Sequence, residues 1–338
     1  MTASRQWLLN GHPRGRQIEE NDLKLVTVDV PDPGPGEMLL RTRWLGFDPA
    51  QKGWMENIAD YVAPMAIGDV MRGSWIAEVA ASNGGKYEPG QLLAGLGSWT
   101  EYAVHDGTGL NPVEPGLPPT AMLSILGTTG MTAWGGLFKV GKPLPGDTVV
   151  ISGAAGATGS IVGQLAKMIG CRTIGIAGSK DKCAWLIEEL GFDAAIDYKS
   201  EDVKAALKQH APGGIDVVFD NVGGKILDAM LARIATGARV VICGGISRYE
   251  TGSPGSTSLP EGPRNYFNLV FRRATMAGFI VVDWAAEFPA IRERMVRLVG
   301  DGVLTYREDV QHGFENAPAT LQRLFSGANR GKQLLKID

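Results

Sequence analysis

An apolar run, Val149-Val150-Ile151-Ser152, passes directly into Gly153-Ala154-Ala155-Gly156-Ala157-Thr158-Gly159, after which Ile161, Leu165 and Ile169 recur at helical spacing. A strand that turns through small residues into a helix leaves the first helical amides unpaired and lets a ligand approach the backbone closely. A dinucleotide pyrophosphate suits this arrangement, because its negative charge meets those N–H donors and the positive end of the helix. Gly156, Ala157, Thr158 and Gly159 are therefore expected at the phosphates. Ala154 replaces the first glycine of the usual G-x-G-x-x-G, with Gly153 just ahead of it. Thr173-Ile174-Gly175-Ile176-Ala177 supplies a second strand, which completes a strand–helix–strand unit of about 30 residues.

The end of that second strand selects among nicotinamide cofactors. An NAD site normally places Asp or Glu about 20 residues past the glycines to hold the ribose 2′-hydroxyl. This chain instead reads Gly178-Ser179-Lys180-Asp181-Lys182, a hydroxyl and two ammonium groups where a 2′-phosphate would sit. A charge-assisted hydrogen bond contributes about 1.5–3 kcal/mol, roughly ten- to a hundredfold in affinity, so Ser179 and Lys182 point to NADP(H). Ser179 also fits as the N-cap of the following helix, and the two roles are compatible.

At 338 residues the chain exceeds the roughly 250–300 at which single cores stop growing, so two domains are expected. Hydrophobic residues at 44% and charged residues at 20% describe an ordinary globular protein. A net charge of −3 gives no broad basic field for nucleic acid or anionic lipid, which leaves small molecules as the expected partners. Three cysteines, Cys171, Cys183 and Cys243, fit neither a disulfide framework nor a metal-binding pair. With no apolar signal-like segment in residues 1–16 and no run of about 18 apolar residues, a cytoplasmic protein is expected.

Residues 23–115 are short alternating or apolar segments broken by Gly and Pro, which predicts a β-rich domain with strands near 37–43, 74–81 and 99–104. From Gly127 the pattern changes to alternating strand and helix, the mark of a doubly wound parallel sheet. Its strands are expected at 148–152, 173–177, 194–197, 216–220, 239–243 and 276–282, with helices including 131–139 and 180–190. The fold class is thus α/β with a second, β-rich domain. Residues 247–265 carry many breakers and no periodicity, and read as a flap over the site.

Several segments together carry a family resemblance: Asp69-Val70-Met71-Arg72-Gly73, Trp99-Thr100-Glu101-Tyr102-Ala103-Val104, residues 127–134 and the glycine turn. Phe219-Asp220-Asn221-Val222-Gly223-Gly224, Cys243-Gly244-Gly245-Ile246-Ser247 and Gly327-Ala328-Asn329-Arg330-Gly331-Lys332 extend it across nearly the whole chain. The chain resembles the zinc-independent medium-chain dehydrogenase/reductases of the leukotriene B4 dehydrogenase, prostaglandin reductase and alkenal double-bond reductase group, which includes bacterial curcumin reductases. The resemblance implies a GroES-like catalytic domain from residues 1–126 and 300–338, and a Rossmann NADP-binding domain from 127–299. It implies NADPH, with contacts at Gly156 through Gly159, Lys182, Tyr198, Asn221, Cys243, Tyr249, Phe279 and Asn329, and a homodimer. Thr128-Thr129 stands where many relatives have Met-Pro, and Asp48-Pro49-Ala50-Gln51-Lys52 where they commonly have Asp-Pro-Tyr-Met-Arg. Both departures bear on substrate size and polarity.

Zinc alcohol dehydrogenases of similar fold hold a Lewis acid with Cys and His. The four histidines and three cysteines here do not fall into such a set, so no metal is expected. A nicotinamide hydride donor can still reduce a C=C bond conjugated to a carbonyl, because charge moves to the oxygen and a positioned hydrogen-bond donor stabilises it. Tyr249, which follows the Cys243–Ser247 strand end and matches the family tyrosine, is the expected donor. Its phenol, with a reference pKa of about 10, donates while neutral. A ribose 2′-hydroxyl of the cofactor can share that role, and the α-carbon proton comes from Tyr249 or water. Tyr61 is expected near the substrate, with plain packing as the other reading, and Cys243 as a small apolar neighbour of the nicotinamide. The expected activity is NADPH-dependent reduction of α,β-unsaturated aldehydes and ketones. The alternatives are a quinone reductase of the same superfamily and a non-catalytic NADPH-binding, RNA-contacting protein.

Overall fold

The computed structural model describes residues 1–249 and 262–337. The expected flap at 247–265 falls largely on 250–261, outside the described residues. The chain divides into two compact units, Met1–Gly127 with Glu308–Asp338, and Thr128–Arg307.

The Thr128–Arg307 unit is organised by a six-stranded sheet among the described residues. Its strands are β1 (Thr148–Ser152), β2 (Arg172–Ala177), β3 (Ala194–Asp197), β4 (Ile215–Asp220), β5 (Ile234–Ile242) and β6 (Thr275–Gly278). They lie in the order β3-β2-β1-β4-β5-β6, every neighbour parallel. This is the dinucleotide-fold order, in which the chain reverses direction across the sheet between β1 and β4 and leaves a crevice at their carboxyl ends. β1 reads as an unbroken apolar run because Val149, Val150 and Ile151 are fully buried, as a central strand covered on both faces requires.

The differences from the sequence expectation have local causes. Strand β5 begins at Ile234, because that buried residue pairs with Ile215. It ends at Ile242, where the Cys243 amide makes the last ladder bond, to the Asp220 carbonyl at 2.9 Å. With β5 finished, β6 has no neighbour beyond Gly278, and the expected 276–282 strand gives way to a 3-10 turn over Val281–Glu287. The expected 131–139 helix is an α-helix over Thr128–Gly135 that widens into a π-turn over Gly136–Gly141. Helix Lys180–Glu188 is shorter at its end than the expected 180–190.

In the other unit, Glu37–Gly46, Arg72–Asn83 and Leu92–Ser98 form antiparallel neighbours, and Tyr102–His105 pairs with Glu37–Gly46. Leu40, Leu45, Met55, Trp75 and Trp99 fill its core. The C-terminal segment adds Glu308–His312, helix Ala317–Ser326 and Lys332–Lys336, the last pairing antiparallel with Glu37–Gly46. The resemblance implies a return to this unit at about residue 300, whereas the compact unit keeps the chain to Arg307. Thr305 explains the longer stay: its amide donates to Gln164 Oε1 at 2.8 Å, and its carbonyl accepts from Gln164 Nε2 at 2.9 Å. No described helix is long and apolar enough to cross a membrane.

Candidate active site

The glycine turn is built from backbone. Gly153 takes φ +59°, and the Gly156 amide donates to the Gly153 carbonyl at 2.9 Å. Helix Ala157–Met168 then starts from Gly156 with no capping side chain, which leaves its first-turn amides to a ligand. A Cβ at Gly159 would stand 2.5 Å from the Gly153 carbonyl oxygen and 2.8 Å from Ala154 Cα, backbone atoms that cannot give way. Ala154 takes the place of a glycine because the space it needs is provided elsewhere. Its side chain lies where a Cβ on Gly175 of β2 would come within 2.9 Å, so the missing glycine has in effect moved to the neighbouring strand. The cradle fits a pyrophosphate: small residues, unpaired amides and a helix start at the carboxyl end of β1.

Past β2, Ser179 caps helix Lys180–Glu188, its Oγ accepting from the Lys182 amide at 3.3 Å. Lys182 lies on the first turn of that helix. Tyr198 follows β3, its amide donating to the Ala177 carbonyl at 3.0 Å, and is 44% exposed. Its ring covers Gly178, where a Cβ would meet it at 2.9 Å. Ser179, Lys182 and Tyr198 therefore share the carboxyl ends of β2 and β3.

The ends of β4 and β5 are knit by a buried carboxylate that the sequence reading did not single out. Asp220 is fully buried and accepts from Ser152 Oγ at 2.6 Å, from the Gly223 amide at 2.9 Å and from the Val222 amide at 3.2 Å. Ser152 Oγ accepts from the Asn221 amide at 2.8 Å, and Asn221 Nδ2 donates to the Ser152 carbonyl at 2.7 Å. The Asp220 carbonyl accepts from the amides of Cys243 and Gly244 at 2.9 and 3.1 Å. Burial pushes the Asp220 carboxyl above its ordinary pKa, while Ser152, Gly223 and Val222 pull it back. Burial, with Asp220 nearby, pushes the Cys243 thiol up to about 12, so it stays protonated and packs as a small residue. Tyr249 is partly buried and ends the 3-10 turn Ile246–Arg248 that follows Gly245. Phe279 follows β6 directly; its ring packs where a Cβ on Gly136 would come within 2.7 Å, and it stacks on Trp284 with ring centroids 5.2 Å apart.

Two expected residues belong to the β-rich unit. Tyr61 is 41% exposed, and its hydroxyl accepts from Trp54 Nε1 at 3.3 Å. Its loop is closed by Asn57, whose side chain exchanges two hydrogen bonds with the Met65 backbone at 2.7 and 2.8 Å. Asn329 donates from Nδ2 to the Gly331 carbonyl at 2.9 Å. Three residues on, Lys332 is 2% exposed and its Nζ meets Asp48 Oδ1 at 2.5 Å, which joins the Gly327–Lys332 and Asp48–Lys52 motifs. Among the described residues, no three His, Cys, Asp or Glu side chains cluster as metal ligands.

The sheet order, the glycine cradle and the polar residues at its carboxyl edge define a dinucleotide-binding oxidoreductase. Residues 5–113 match the family described as the N-terminal domain of oxidoreductase, and residues 157–297 that described as zinc-binding dehydrogenase. The chain is 38% identical to the 2-alkenal reductase (NADP(+)-dependent) of Nicotiana tabacum over 97% of its own length and 95% of that protein. It is 36% identical to the NADPH-dependent curcumin reductase of Escherichia coli (strain K12) over 99% of its own length and 97% of that protein. The crystal structure of CurA from Vibrio vulnificus in complex with NADPH superposes with a TM-score of 0.91 at 38% identity, covering 99% of each chain. The protein belongs to the medium-chain dehydrogenase/reductase family, in the group of NADP-dependent alkenal, curcumin and prostaglandin reductases.

Proposed function

We propose that this protein reduces the C=C bond of α,β-unsaturated aldehydes and ketones with NADPH. The observation that carries the reading is the assembly, at the carboxyl edge of one parallel sheet, of a backbone phosphate cradle, Asn221, Cys243, Phe279 and the phenol-bearing turn at Tyr249. Gly156 through Gly159 would take the pyrophosphate, and Ser179, Lys182 and Tyr198 the 2′-phosphate. Asn221, Cys243, Tyr249 and Phe279 would bound the nicotinamide end, with Asn329 as a further cofactor contact. When bound, NADPH supplies a hydride to the β-carbon of the substrate.

Tyr249 does the rest of the chemistry in this reading. Its hydroxyl donates to the carbonyl oxygen and so holds the enolate that forms there. The same phenol, or water, returns a proton to the α-carbon. Tyr61 contributes to the substrate side. We further propose a homodimer: β6 is one of the sheet's two edge strands among the described residues, and exposed Tyr266, Phe267, Val270 and Phe271 precede it in sequence. A second copy pairing along that edge gives twice the chain mass by sedimentation; a monomer at micromolar concentration refutes the dimer. The three thiols, all free, fit a cytoplasmic setting.

NADPH consumption at 340 nm with alkenals, aryl enones and curcumin-like diketones tests the activity. Turnover that drops at least about tenfold in Tyr249→Phe supports the mechanism. No oxidation of NADPH by any of these substrates contradicts the activity, and quinone turnover that survives the substitution while enone turnover is absent assigns the protein to the quinone reductases.

A further inference from the structure

Asp220 lies at the carboxyl end of β4 with no exposed surface, and the groups that touch its carboxylate are one hydroxyl and two backbone amides. All three donate. Ser152 Oγ accepts the Asn221 amide and donates its own hydrogen to Asp220. A site made only of donors is built for an acceptor with two charged oxygens, and neither a neutral acid nor an amide satisfies it as well. None of these partners is a cation. The negative charge is therefore held in place by dipoles and is not cancelled, and a charge buried in this way acts on its surroundings with little screening by solvent or salt.

The surroundings are the residues assigned to the nicotinamide end. Asn221 is the next residue and is tied to Ser152 on both its amide and its side chain. Cys243 hangs from the Asp220 carbonyl and feels the carboxylate, which helps to push up its thiol. The nicotinamide ring is positively charged when oxidised and neutral when reduced, so a fixed anion beside it distinguishes the two forms.

We propose that Asp220 is a positioning residue that fixes the Asn221–Gly223 turn and whose uncancelled charge favours the oxidised over the reduced nicotinamide, biasing the protein toward hydride donation. The proposal rests on Asn221 and Cys243 bounding the nicotinamide. Its measure is the ratio of dissociation constants, Kd(NADP+)/Kd(NADPH), from titrations without substrate. A contact that only shapes the turn changes both constants alike, and the 2′-phosphate, common to both forms, cancels in the ratio.

Asp220→Asn, with Asp220→Ser as a smaller second variant should the amide not be accommodated, is expected to raise this ratio about three- to tenfold. Ser152→Ala removes a donor but keeps the charge, and is expected to loosen both forms while leaving the ratio within about twofold of the unsubstituted protein. A folded charge-removing variant whose ratio is unchanged, or a Ser152→Ala ratio that moves as far as that of Asp220→Asn, overturns the proposal. Failure of the unsubstituted protein to bind either form would instead overturn the cofactor reading beneath it.

Discussion

The two compact units build their working edges from opposite materials. In Thr128–Arg307 the cradle is backbone and empty space: Gly153 at positive φ, Gly156 starting a helix, and a Gly159 whose hydrogen faces a carbonyl. In the β-rich unit the motif loops are pinned by buried charged side chains. Lys52 is 0% exposed and pairs with Glu56 one helical turn on, and Lys332 is held by Asp48. The first design fails when atoms are added and the second when they are removed, and substitutions in the two units should follow that rule.

The largest effect is expected from Glu56→Ala. It takes the carboxylate away from the buried Lys52 ammonium, and breaking a buried pair on one side costs about 3–5 kcal/mol, read from urea unfolding. The comparison sharpens if the double replacement Lys52→Met with Glu56→Leu recovers most of that loss, because the cost then belongs to the orphaned charge and not to the lost contact.

Gly159→Ala tests the other half. One added methyl meets backbone on two sides, so NADPH affinity should fall at least about tenfold, with a stability loss of about 1–3 kcal/mol. Binding of NADPH by this variant at unchanged affinity would break the contrast between the units.

A smaller effect is expected from Lys182→Ala. Loss of one charge-assisted contact should weaken NADPH about tenfold or more, and leave NADH, which lacks the 2′-phosphate, within about twofold. Equal loosening of both cofactors would place Lys182 away from the phosphate.

Smallest is the acid-side behaviour of Glu101. Burial pushes its carboxyl up, but the hydrogen bonds from the Arg5 side chain and amide, at 2.7 and 2.9 Å, overrule burial and hold it below its ordinary pKa. A folded pKa below the unfolded value adds stability above the unfolded pKa, about 4.3, and loses it as pH falls through the folded pKa. Glu101→Gln should therefore cost about 1 kcal/mol at pH 7 and progressively less as pH falls below about 4.3, read from urea midpoints across that range.

The same contrast explains what was legible in the sequence. The parallel sheet was readable because a strand buried on both faces must be apolar throughout, as Val149–Ile151 is, and because the cradle's demand for small residues leaves a mark in the chain. Even the irregular Ala154 was visible as a departure, although its compensation at Gly175 was not, since the two meet only across β1 and β2. Strand ends were less legible: β6 stops where β5 does, which is a property of the pair and not of the Met276–Val282 text. The burial and pairing of charged side chains were not legible. Lys52, Lys332 and Asp220 look in sequence like any solvated charge, and their partners Glu56, Asp48 and Ser152 lie 4, 284 and 68 positions away. An Asp closing the apolar run Val217-Val218-Phe219 was the one available signal for the last of these.

The central claim is that hydride reaches the β-carbon of an enone while Tyr249 holds the oxygen. It is tested most directly by turning over an enone with NADPH deuterated at the transferable C4 position and locating the label by NMR. The account predicts one deuterium on the β-carbon of a saturated ketone and a solvent-derived hydrogen on the α-carbon. Deuterium on the carbonyl carbon of an unsaturated alcohol, or a saturated product without label, would contradict it.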